Sequence, residues 1–183
     1  MKKLLRAAAL LLCAVCVVSS FTACRKEPGG EDTAATTASA NETGAQPAGG
    51  FRLTLSDVSV PSGSETFSVS VSMSGCPGLS VLILTVAADD RFTVMGGKKS
   101  DGLFQDLDTG DTPSGFNLVF SADRDVTADG ELATVTFNCA GVPDGEYDLV
   151  LYYRDSSNSA FEEILPEGME EGKIAARAKL RIG

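Results

Sequence analysis

Between residues 51 and 183, apolar side chains keep returning at every second position. Phe67, Val69, Val71 and Met73 alternate with Ser68, Ser70, Ser72 and Ser74. The same period runs through Tyr147, Leu149, Leu151 and Tyr153, and through Ile174, Ala176, Ala178, Leu180 and Ile182. Successive side chains of an extended strand point to opposite faces, so this pattern describes strands with one buried and one wet face. No stretch of useful length repeats near the helical period. Turn formers stand between the runs: Pro61-Ser62-Gly63, Cys76-Pro77-Gly78, Asp129-Gly130 and Pro143-Asp144-Gly145. The pattern predicts strands at 51–60, 65–74, 79–88, 91–95, 115–121, 131–138, 146–154, a short one near 160–164, and 173–182. About nine strands in one segment predict an all-β sandwich of the jelly-roll type, long enough to bury roughly two-thirds of its unfolded-chain surface.

The first fifty residues read differently. Lys2, Lys3 and Arg6 precede an apolar run from Ala7 to Val18, too short for the ~20 residues that span a bilayer. Residues 1–23 are therefore expected to be a signal peptide. The stretch Ser19-Ser20-Phe21-Thr22-Ala23-Cys24 resembles the lipobox of bacterial lipoproteins, with Phe21 where leucine is usual. That resemblance implies that the Cys24 thiol receives a diacylglycerol and becomes the mature N-terminus; an ordinary secretory signal is the alternative. Two acyl chains hold a protein stably at a membrane where one holds it marginally. The expected location is thus extracytoplasmic, lipid-anchored to the bacterial cell membrane. Residues 24–50 carry no aromatic or large aliphatic side chain, so they cannot bury enough surface to offset chain entropy and read as a disordered linker. Its r.m.s. reach is roughly 25–30 Å.

Composition then removes whole classes of chemistry. The chain has no histidine, which excludes Ser-His-Asp and Cys-His nucleophiles, an imidazole base and the usual histidine-containing zinc sites. A net charge of −10 repels phosphate and argues against a nucleic-acid partner. Asp101, Asp106, Asp108 and Asp111 crowd one predicted loop, and Asp123, Asp125 and Asp129 another, but neither has the EF-hand spacing, so both read as solvated acidic loops. Paired carboxylates for glycoside hydrolysis lack an indicated cleft. No enzyme activity, cofactor or metal is expected.

The order of motifs resembles that of cohesin modules. The alternating strand Thr66–Ser74 is followed by Gly75-Cys76-Pro77-Gly78-Leu79, then by the apolar run Ser80 to Ala88 and Asp89. Ala128-Asp129-Gly130-Glu131-Leu132-Ala133-Thr134-Val135-Thr136-Phe137 is similar to the family's Asp-Gly-x-Leu-Ala-Thr-Leu-Thr-Phe. Gly145-Glu146-Tyr147-Asp148-Leu149 and Gly172-Lys173-Ile174 match its last two strand entries. Ala88 stands where the family has the tyrosine of a Tyr-Asp pair, with Asp89 retained, which makes this a divergent likeness. It covers essentially all of 51–183.

The resemblance implies a non-catalytic module that binds dockerins, small calcium-loaded helical modules of secreted, polysaccharide-degrading proteins. The calcium belongs to the partner. It also implies a binding face on the outer side of one sheet that includes 79–88, 115–121 and 131–138. In 79–88, Leu82, Leu84 and Val86 take the inward parity, leaving Val81 and Ile83 outward; in 131–138, Leu132 falls outward beside Thr134. With 79–88 and 131–138 paired, Val81, Ile83 and Leu132 would form one exposed apolar patch, with Thr134 at its margin and Asp123 and Asp125 at its rim. Exposed contiguous apolar surface marks interaction sites. A strand covered on both faces, for instance by segment 96–114, would give the same pattern. The same implied pairing brings the ends of those strands together and leads us to expect a disulfide between Cys76 and Cys139. The rival function is a carbohydrate-binding sandwich with a polysaccharide partner. It is disfavoured by the absence of tryptophan and by having Tyr152 as the one tyrosine on outward parity.

Overall fold

A computed structural model describes residues 50–183; the predicted leader 1–23, Cys24 and the linker through residue 49 lie outside the described residues. Ten strands follow one another: β1 (Arg52–Leu55), β2 (Val58–Val60), β3 (Thr66–Ser74), β4 (Leu79–Ala87), β5 (Thr93–Lys99), β6 (Asp106–Thr112), β7 (Gly115–Val126), β8 (Gly130–Asn138), β9 (Gly145–Ser157) and β10 (Ile174–Ile182). One sheet has the order β1-β3-β8-β5 and the other β2-β10-β9-β4-β7-β6. The architecture is the all-β sandwich that the alternation predicts. Phe67, Val69, Val71 and Met73 of β3, Leu149, Leu151 and Tyr153 of β9, and Leu180 and Ile182 of β10 are buried in one core cluster. Each such side chain contributes ~1.5–3 kcal/mol by leaving water. Phe67 stacks on Phe137 at 5.0 Å and meets Phe92 edge-on at 5.3 Å, closing one end of the core.

Three departures from the predicted strands have local causes. The run 51–60 is two strands in different sheets. Between them, Ser56 Oγ accepts from Ser70 N–H at 2.9 Å, and Asp57 Oδ1 accepts from Lys179 N–H at 2.7 Å. Side chains thus replace ladder bonds while the chain crosses between sheets. Segment 106–112 is a strand and not a loop. Its sequence Asp-Leu-Asp-Thr-Gly-Asp-Thr is too polar to announce one, yet it pairs with β7 from Asp106↔Ser121 to Thr112↔Gly115. As an edge strand it is suited by charge, which discourages pairing with other chains. Near 160–164 the structure has a single bridge, Ser157↔Glu163, in place of a strand.

Strand β8 pairs with β3 and β5, whereas β4 pairs with β7 and β9, so the expected β4–β8 neighbourhood does not exist. In β8 the register slips between Val71↔Ala133 and Ser72↔Glu131, leaving Leu132 as the extra residue of a bulge. The bulge turns Leu132 and Ala133 inward together, and Leu132 is 1% exposed.

The expected disulfide is corrected for the same reason. Thr66 lies opposite Asn138 and Met73 opposite Gly130, which puts Cys76 and Cys139 at opposite ends of the β3–β8 ladder. Such a ladder spans roughly 24 Å at ~3.4 Å per residue, whereas a disulfide needs Cα atoms within ~7 Å. Both cysteines are free: Cys76 Sγ–H donates to the Val126 carbonyl at 3.0 Å and Cys139 Sγ–H to that of Ser64 at 3.2 Å. Burial pushes the Cys76 thiol up in pKa.

Candidate docking face

The outer face of the six-stranded sheet is built row by row from strand register. Val81 of β4 lies between Ser121 of β7 and Ser157 of β9, and Ser121 in turn lies beside Asp106 of β6. In the next row, Ile83 lies between Val119 and Asp155, with Asp108 beyond Val119. Val81, Ile83 and Val119 are half-buried; Asp106, Asp108 and Asp155 are exposed. The face therefore carries a short apolar stripe with carboxylates on both sides. Segment 96–114 is accounted for by β5 in the other sheet and β6 at the edge of this one, and Val81 and Ile83 keep part of their surface exposed.

The third row is polar and bonded through. Thr85, fully buried, donates from Oγ1 to Asn117 Oδ1 at 2.6 Å and accepts from Arg154 Nε at 2.8 Å. Arg154 also donates to Ser114 Oγ at 3.0 Å, and its guanidinium carbon stands 5.4 Å from the centroid of the Tyr152 ring. It reaches across the sheet because a register shift between Ile83 and Leu84 makes it the bulged residue of β9. The cation lies within the ~6 Å range of a cation–π contact, so the Tyr152 face is already occupied.

The structure brings together Val81 and Ile83 as predicted and leaves two of the named residues elsewhere. Leu132 is in the core of the other sheet. Thr134 lies on that other sheet's outer face, where its Oγ1 donates to Glu131 Oε1 at 3.2 Å. Asp123 and Asp125 are on the six-stranded sheet but not in a loop: they belong to β7, where the six residues from Ser121 to Val126 stand against three from Val81 to Leu79. Asp123 N–H donates to Gln105 Oε1 at 3.2 Å, and Asp125 Oδ1 accepts from Ser159 N–H at 2.6 Å. Asp125 thus ties this corner to the β9–β10 connection. Val119 was missed, although Phe116, Leu118 and Phe120 give it the same outward parity as Ile83. Among the described residues no group of three acidic or thiol side chains is placed to hold a metal ion.

No protein-family model matches the sequence, and no curated protein does. Solved structures do match. The sixth cohesin of scaffoldin B from Acetivibrio cellulolyticus, in complex with a Cel5 dockerin, is 16% identical with a TM-score of 0.58 over 73% of this chain and 99% of its own. The third ScaC cohesin of the same organism, in complex with the ScaB dockerin, is 21% identical with a TM-score of 0.54 over 71% and 98%. A non-cellulosomal cohesin from the archaeon Archaeoglobus fulgidus is 13% identical with a TM-score of 0.57 over 73% and 91%. The class that the two sheets define is the cohesin-type β-sandwich. This chain has the cohesin fold, as the order of its motifs suggested.

Proposed function

We propose that the chain is a non-catalytic docking module that captures a dockerin-type module on the β6-β7-β4-β9 face. The observation that carries this reading is the apolar stripe of Val81, Ile83 and Val119, left open on the outer face of a cohesin-type sheet. Support comes from two solved neighbours that are cohesins in complex with dockerins. In such an interface a few desolvated apolar contacts supply most of the affinity, and the carboxylate flanks supply selectivity and steering. Calcium enters with the partner. Carbohydrate binding is disfavoured because Arg154 covers the outward tyrosine, Tyr152.

The test immobilises the full chain and captures dockerin modules from proteins secreted by the producing organism, with and without chelator. Ile83→Asp places a charge in the stripe without touching the core and is expected to weaken capture at least about thirtyfold. Chelation is expected to abolish it. Capture indifferent to both treatments would refute the reading.

We further propose that Cys24 carries a lipid and that the module stands off the outer side of the cell membrane on the 24–50 linker. The lipobox-like run before Cys24 motivates this. Cys24→Ala should abolish acyl labelling and release the protein from membranes; unchanged membrane attachment would refute it.

A further inference from the structure

Among the described residues four large hydrophobics are exposed, and two of them share the connection between β9 and β10: Phe161 at 90% and Leu165 at 57%. They stand over a groove of about 580 Å³ whose floor is Arg154, Asp155 and Ser157 of β9. This connection is held, not slack. Asn158 Oδ1 accepts from Ala160 N–H and Glu162 N–H, both at 3.0 Å, Ile164 N–H donates to the Ser156 carbonyl at 3.0 Å, and Asp125 fixes Ser159. Phe161 sits at φ 62°, in the left-handed region that disfavours a bulky side chain. The Phe161 ring is thus held outward, away from the core.

The charge around the groove says what that partner is. Asp155, Glu163, Glu170 and Glu171 line it against the single cation Arg154, whose hydrogen-bond partners Thr85 and Ser114 are neutral. Lys173 pairs with Glu170 and leaves the other three carboxylates without a cation among the described residues. The groove also adjoins the stripe, since Asp155 lies opposite Ile83 and Ser157 opposite Val81. We propose that this groove is a second subsite of the docking face, seating an apolar side chain of a partner helix that is flanked by lysine or arginine. The inference rests on the docking reading, and it names the partner's chemistry: a cationic amphipathic helix laid from the stripe into the groove.

The probe is a short labelled amphipathic peptide with leucines on one face and lysines on the other, titrated with the full chain by fluorescence anisotropy. A copy with glutamates in place of lysines is the control. The lysine peptide should bind saturably and the glutamate peptide should not. Phe161→Asn with Leu165→Ser should lower the affinity roughly tenfold. Asparagine is at home in the left-handed region, so that variant keeps the fold. Ile83→Ser, which clears the stripe without adding charge, should weaken peptide binding too, since the helix is laid from the stripe into the groove, but by less than the double variant does. The proposal is overturned if the lysine peptide does not bind, if the glutamate peptide binds equally, or if the double variant binds as the unaltered chain does. Binding that falls with Ile83→Ser and not with the double variant overturns it too, because the peptide then sits on the stripe alone. Partner capture by Ile83→Asp reads the stripe separately, so the two failures are distinguishable.

Discussion

At the scale of single residues, parity alone locates a side chain only while the ladder stays regular. Val81 and Ile83 obey it, and so does Val119, which the same count along Phe116, Leu118 and Phe120 would have found. Leu132 breaks it, because one extra residue in β8 flips its face. A bulge leaves no mark in the pattern of apolar and polar residues, so the sequence could not disclose it. The consequence is measurable. Leu132→Ala should destabilise the fold by ~2–5 kcal/mol in urea denaturation, as truncation of a buried leucine does. A neutral result would mean that Leu132 faces water after all. The two cysteines teach a related lesson: a pairing inferred from family topology failed because the wrong strands were made neighbours, not because the chemistry was wrong.

At the scale of elements, the strands rich in alternating apolar residues were legible and the polar edge was not. β6 has one inward apolar residue, Leu107, and owes its extension to β7 alone. The corner between β4 and β5 is also set by charge. Asp89 accepts from Arg91 Nε and a terminal guanidinium nitrogen, both at 2.7 Å, and from the Arg91 backbone N–H at 3.1 Å. These bonds hold the Asp89 carboxyl well below its ordinary value of 3.8. A depressed carboxyl contributes stability that is present above the unfolded-state value and is lost as pH falls towards the folded one. The sandwich should therefore lose stability below about pH 4, and Asp89→Asn should flatten that acid limb in thermal melts from pH 2 to 6. An unchanged slope would mean that the exposed pair is screened out by solvent.

At the scale of the whole molecule, the fold class was readable because period-two alternation recurs through most of 51–183, and no local exception could overrule it. The proposed docking face was half readable. It depends on which strands are neighbours, and neighbour relations between distant segments are a property of topology that no local pattern contains. What the sequence did carry was the outward apolar pair on β4, around which the structure assembles the rest.

The split of the first strand has a mechanical meaning. Every other strand pair runs antiparallel, but β2 runs parallel to β10, with Val58 opposite Leu180 and Val60 opposite Ile182. A chain drawn taut from its two ends pulls these strands in opposite directions along their own axes. The rungs between them then bear the load side by side and must rupture together, instead of opening one after another like a zip. β1, locked to β3 from Arg52↔Ser74 to Leu55↔Val71, lies just upstream and takes the same tension lengthwise. A sandwich threaded in this way is a link suited to traction, whose lifetime under load follows its unfolding rate and not its equilibrium stability.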